Sequence, residues 1–182
     1  ELPKSTRPHL TQPHLTQPHI TQPHITQQLP SQQLLTQPQY SFLKTDPHLG
    51  KHIILLGLAG SYSYGTNNEN SDIDVRGVTL NRKSDLIGMT SYDQYTDENT
   101  DTVIYTFNKI IRLLLECNPN TCELLGLNEE HYLYLSPIGR ELLANRRLFL
   151  SKRAIQSFGG YADQQLRRLQ NALARDLSLI HI

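Results

Sequence analysis

Apolar side chains are distributed in three different ways along this chain. From residue 6 to about residue 39 the sequence cycles through TRPHL, TQPHL, TQPHI and TQPHI, then decays into TQQLP, SQQLL and TQPQY. Proline at every fifth position removes backbone donors and breaks helices, and the intervening residues are too polar to bury a face. The expected state is disorder with polyproline II character, so residues 1–40 are set aside as a low-complexity tail. Residues 52–58 (HIILLGL) form a continuous apolar run ending at Ala59-Gly60-Ser61, the pattern of a buried strand feeding a tight turn. Further on, Phe107, Ile110, Ile111, Leu114 and Leu115 follow helical spacing.

Between and beyond these segments the same reading continues. The glycine- and asparagine-rich stretch 62–70 suggests one helical turn and a loop, and residues 73–80 (IDVRGVTL) read as a second strand. Residues 101–105 (DTVIY) read as a third, running directly into the helix at 106–116. Helices are expected at 120–125, 137–145 and 152 to about 175, the last with a break at Gly159-Gly160. Strands followed by helices fit an α+β or α/β arrangement, a small mixed sheet backed by helices. The expected organisation is a core over 41–135 and a helical C-terminal part over 136–182, whose apolar ending LSLIHI reads as cut short.

Charge narrows the chemistry. Lysine plus arginine and aspartate plus glutamate number 17 each, so any polyanion must be gripped locally and not by a global positive field. Cys117 and Cys122 form no CxxC pair and have no matching histidine cluster, which argues against a zinc knuckle or disulfide framework and for reducing cytosol. His9, His14, His19 and His24 recur with the pentapeptide, a pattern better read as low complexity than as a metal tract. No apolar run approaches the roughly 18 residues of a membrane span, and the expectation is a soluble, cytoplasmic protein.

Candidate chemistry gathers around the turn at Gly60-Ser61 and the later Asp72-Ile73-Asp74. Residues two apart on a strand share a face, so the two carboxylates are expected to project together while Ile73 faces the core. Paired carboxylates attract Mg2+ or Mn2+, and magnesium typically takes one or two carboxylates plus substrate phosphates. Gly60 allows a sharp turn and close approach, while the amides beyond it and the Ser61 hydroxyl can donate to phosphate oxygens. The combination suits transfer of a nucleotidyl group from a nucleoside triphosphate. One cation would activate the attacking hydroxyl and a second would neutralise the departing pyrophosphate. Two cations need a third carboxylate: Asp101 is preferred, with Asp93, Asp97 and Glu98 as alternatives, and it could also serve as base.

The segment GSYSYGTNNENSDIDVRGV resembles the G-S-x-x-x-G-x(n)-S-D-x-D signature of polymerase beta-type nucleotidyltransferases. It is similar in particular to RlaP, the RNA repair pathway polymerase beta family, a similarity that extends through DTVIYTFNKIIRLLLECNPNTCELL to FLSKRAIQSFGGYADQQLRRL. The resemblance implies that Gly60 and Ser61 hold the triphosphate and that Asp72 and Asp74 bind metal. It also implies RNA ends as acceptors, through the family's association with RNA repair.

Other readings stand beside these. A calcium loop is disfavoured by the missing EF-hand spacing. Arg76 shares the face of Asp72 and Asp74, and either touches a phosphate or balances their charge. Glu123, after Asn118-Pro119, reads as a solvated helical residue. Lys152 and Arg153 start a helix and are candidates for substrate phosphate, whereas Tyr62 and Tyr64 either stack on a base or, the favoured reading, pack against the sheet. The rival functions are an AMPylating enzyme that modifies protein side chains with the same site, and a non-catalytic nucleotide- or RNA-binding module.

Overall fold

The computed structural model describes residues 34–88 and 91–180, with side chains described as far as residue 175. In chain order the described elements are α1 (Phe42–Thr45), β1 (Ile53–Ala59), α2 (Gly60–Tyr64), β2 (Asp74–Thr79), α3 (Lys83–Ile87), β3 (Gln94–Asp97), β4 (Thr102–Thr106), α4 (Phe107–Leu115), α5 (Pro119–Gly126), β5 (Tyr132–Leu135), α6 (Pro137–Ala144) and α7 (Arg153–Ile180), with short 3-10 turns between some of them. The strands form one sheet in the order β3-β4-β2-β1-β5. Only the β2–β4 pair is parallel, and its register sets Val75 beside Thr102. This is an α+β fold, a five-stranded mixed sheet backed by helices.

Each principal element forms for a local reason. β1 carries near-continuous apolar side chains because it lies between β2 and β5 with both faces covered, and Leu55 is fully buried. Thr106 ends β4 and caps α4, its hydroxyl accepting from the Lys109 amide. Asn118 caps α5 in the same way through the Thr121 amide, with Pro119 in the first turn where its missing N–H leaves no bond unmade. Asp97 holds the β3–β4 turn by accepting from both the amide and the hydroxyl of Thr100.

The sheet separates two apolar clusters. On one face Val78, Ile54 and Leu55 meet Ile110 and Leu114 of α4, Leu124 and Leu125 of α5, and Leu142 of α6. On the other, Val75, Leu56 and Ile104 meet Leu34, Tyr40, Leu43 and Leu49. Leu34 and Tyr40 are almost fully buried, so packing begins ahead of the boundary expected at residue 41. Composition blurs that junction, because TQQLP and SQQLL pass into the core without a charge or glycine boundary. The expectation for the repeats lies otherwise on residues 1–33, outside the described residues.

Two further differences are local. α7 runs without interruption through Gly159 and Gly160, since the penalty of roughly 1 kcal/mol per helical glycine falls short of what breaks a long helix. β3 and β5 are strands that periodicity did not announce, for each has four residues and pairs along one edge only. Among the described residues no helix is long and apolar enough to cross a membrane.

Candidate active site

The site is built where three central strands share one edge. β1 ends at Ala59, directly opposite Asp74, the first residue of β2. Because β4 runs parallel to β2 with Val75 beside Thr102, Asp101 arrives beside Asp74 from the other flank. Asp74 and Arg76 alternate with buried Val75, so they share the sheet face of Val78 and the helices. Asp101 has φ +41°, an uncommon left-handed conformation for a residue other than glycine, immediately before β4 begins.

Gly60 closes the edge. Its φ is +62°, and a Cβ built there would lie 2.0 Å from Asp74 Oδ2. The bend therefore rests directly on the carboxyl group, an approach that only glycine permits. α2 begins at this bend and ends at Gly65, whose left-handed φ of +65° closes the helix. The loop that follows is fixed by its own polar groups: the Asn68 amide donates to Ser71 Oγ, the Asn70 amide donates to Asn68 Oδ1, and the Ser71 amide donates to the Asn68 carbonyl. This turn delivers Asp72 to the edge. Asp72 precedes β2 and is exposed, so it is placed by the loop and not by strand alternation as the sequence suggested.

The electrostatics concentrate on Asp74. Burial pushes its carboxyl up to about 6, helped by a hydrogen bond with Asp101 and by the negative charges of Asp101 and Asp72, and opposed by Arg76. Asp101 moves the other way: the hydrogen bond from Asp74 holds it below the ordinary carboxylate range, with Arg76 adding to the effect against desolvation. Below about pH 6 the pair shares one proton between Asp74 and Asp101, and above it both carboxylates are ionised with Arg76 between them. Arg76 Nη2 lies 3.0 Å from Asp74 Oδ1 and 3.0 Å from Asp101 Oδ1. Arg76 thus pairs with both carboxylates.

Among the described residues no group of three histidine, cysteine, aspartate or glutamate side chains is gathered closely enough to hold a metal ion. The donor chemistry nevertheless fits a divalent cation. Asp74 and Asp101 converge on one positive nitrogen, and both offer hard oxygens. Two of the alternatives for a third carboxylate, Asp93 and Asp97, are engaged elsewhere. Asp93 pairs with Arg112 and Lys109, and Asp97 holds Thr100.

Other expected residues are placed less centrally. Ser61 lies half-buried in α2, where its carbonyl accepts from the Thr66 amide. Lys152 is exposed in the turn before α7, while Arg153 lines a polar cleft with Glu116, Asn118, Gln156 and Ser157. Tyr64 is exposed and not packed against the sheet. Burial, then the charge of Glu123 and a hydrogen bond to it, then Tyr161, hold the Tyr64 hydroxyl above its ordinary value. Glu123 on α5 thus faces Tyr64 on α2, with Tyr161 on α7 near enough to act on its charge. Helical spacing alone could not signal this, since the contact joins three elements distant in sequence.

A family model described as RlaP, the RNA repair pathway DNA polymerase beta family, matches residues 36–177. One solved structure described as "Crystal structure of the toxin-antitoxin with AMP-PNP" is 18% identical, with 69% of this chain and 86% of that chain covered and a TM-score of 0.26, too low to establish a common fold. No curated protein matches the chain.

Proposed function

Since the chain belongs to the RlaP family, the RNA repair pathway DNA polymerase beta family, we propose that it is a metal-dependent nucleotidyltransferase that moves a nucleoside monophosphate from a nucleoside triphosphate to a hydroxyl group at an RNA end. The observation that carries the reading is the seat of the Gly60 bend on the carboxyl of Asp74. A phosphate gripped by the bend would lie beside the carboxylate that holds its counter-ion.

In this reading Asp72 and Asp74 hold Mg2+ or Mn2+, with Asp101 as the third carboxylate. The cation supplies neutralisation of the triphosphate and a lowered pKa for the attacking hydroxyl. The remaining work falls to the chain itself. Ser61 Oγ and the amides beyond Gly60 bind the triphosphate and orient it against the sheet edge. Only ionised Asp74 would compete for a cation, so loading would be favoured above about pH 6. Asp101, already held ionised, keeps negative charge at the edge where the acceptor hydroxyl must arrive. The polar cleft at Arg153 lies on α7, which also brings Tyr161 towards Tyr64.

The test is incubation with each labelled nucleoside triphosphate and Mg2+ or Mn2+, offering RNA, DNA and protein acceptors, alongside Asp72→Ala and Asp74→Ala. Label is expected on RNA with the unaltered protein and on nothing with either variant. Transfer that persists in both variants rejects the metal site. Label confined to protein replaces the RNA acceptor with protein modification.

A further inference from the structure

Arg76 lies where the carboxylates of Asp74 and Asp101 converge. Its Nη2 lies 3.0 Å from Asp74 Oδ1 and 3.0 Å from Asp101 Oδ1. Its Nη1 donates to the Asp101 carbonyl and, at 3.2 Å, to the Val75 carbonyl. One guanidinium thus gathers four acceptors from two neighbouring strands. The left-handed backbone of Asp101 turns both its carboxylate and its carbonyl to that group. The Arg76 side chain is only 22% exposed, so water screens this arrangement incompletely.

We infer that Arg76 is an internal counter-cation: it holds Asp74 and Asp101 together while no divalent cation is bound, and it competes with that cation for their oxygens. It is a positioning residue, and the inference rests on the reading of Asp72, Asp74 and Asp101 as the metal-binding set. Two carboxylates brought to one edge by the β2–β4 register repel each other unless a positive group lies between them. Arginine suits this place because its planar fork satisfies two oxygens and two carbonyls at once. A bound cation would compete with Nη2 for the oxygens of Asp74 and Asp101, and the bonds of Nη1 to the Asp101 and Val75 carbonyls would keep the guanidinium nearby. Two consequences follow. Cation affinity is lower than the carboxylates alone would give, and the edge keeps its spacing when empty.

The experiment measures binding of Mn2+ alone, by calorimetry and by electron paramagnetic resonance, to the unaltered protein and to Arg76→Gln, Arg76→Lys and Asp74→Asn. Arg76→Gln is expected to bind Mn2+ about tenfold more tightly, the scale of one removed charge at a partly buried pair. Arg76→Lys, a point charge without the fork, is expected to fall between them. Nitrogen-15 spectra of labelled arginine side chains, recorded on the unaltered protein, are expected to show the Arg76 signal moving as Mg2+ is added. This second readout decides the matter even if Arg76→Gln fails to fold. Equal or weaker Mn2+ binding by folded Arg76→Gln, or an Arg76 signal unmoved at saturating Mg2+, overturns the inference. If Asp74→Asn loses Mn2+ while Arg76→Gln binds as the unaltered protein does, the metal site stands and only the role of Arg76 fails. If Asp74→Asn binds Mn2+ unchanged, or the unaltered protein binds none, the metal-site reading fails and takes this inference with it.

Discussion

Replacing Gly60 with alanine asks two things of one atom: a Cβ 2.0 Å from Asp74 Oδ2 and a side chain at φ +62°. Neither can be met without moving the bend away from the carboxyl. Gly60→Ala is therefore expected to lower nucleotidyl transfer at least about 100-fold, roughly 3 kcal/mol in the barrier, while circular dichroism remains native. Native activity in that variant would remove the bend from the site. Asp74 makes a prediction about pH. The fold raises its carboxyl from 3.8 to about 6, so the folded state holds the proton more tightly than the unfolded chain does. Ionised Asp74 therefore weakens the metal-free fold. The effect is absent below the unfolded value, grows between the two values and is complete above about 6. A shift of that size corresponds to about 3 kcal/mol, which partial exposure screens to roughly 1 kcal/mol. In EDTA, Asp74→Asn is expected to gain that amount at pH 8 and nothing at pH 3.5 in urea titrations. A loss at pH 8 would contradict the assignment. The sequence singles out Gly60, Ser61, Asp72 and Asp74 because their residue types and spacing are unusual together, and the fold seats Gly60 on Asp74. The balancing role of Arg76 was one of two equal readings, because a face shared on a strand does not say which partner the side chain chooses.

At the scale of elements, the long apolar patterns carried their own information and the short ones did not. The helix predicted at 106–116 forms as α4 with Ile110 and Leu114 buried, as its spacing requires. β3 and β5 depend on neighbours: Gln94 to Asp97 has no apolar alternation and becomes a strand only by pairing with β4. α6 shows how close such dependence can be. Gly139 lies against β1, where an added Cβ would come 2.1 Å from the Ile54 carbonyl oxygen, and the Ser136 amide donates to that same oxygen. Gly139→Ala cannot be relieved by a rotamer change, because the obstacle is backbone. It is expected to destabilise the protein by roughly 1–3 kcal/mol in chemical denaturation, the range for overpacking a core. A loss below the error of that measurement would mean that α6 is free to shift.

Across the whole molecule, the second apolar cluster depends on residues preceding the expected core. Leu34 and Tyr40 are 3% and 1% exposed, and both pack with Val75, from the strand that carries Asp74 and Arg76. A chain beginning at Ser41 is expected to be less stable than one beginning at Leu34 by roughly 3 kcal/mol or more. Equal midpoints for the two would show that Leu34 and Tyr40 contribute nothing to stability. The sequence by itself determined the principal strands and helices and the chemical character of the Gly60 to Asp74 segment. These follow from side-chain periodicity and from residue types held within a short stretch. The tertiary structure decided that β4 lies parallel to β2, so that Asp101 meets Asp74 while Asp93 and Asp97 are bound elsewhere. It also decided that Arg76 lies between the two carboxylates and that Glu123 and Tyr161 reach Tyr64. Each of these is a meeting of residues far apart in the chain, and local pattern carries no information about which distant strand or helix becomes a neighbour.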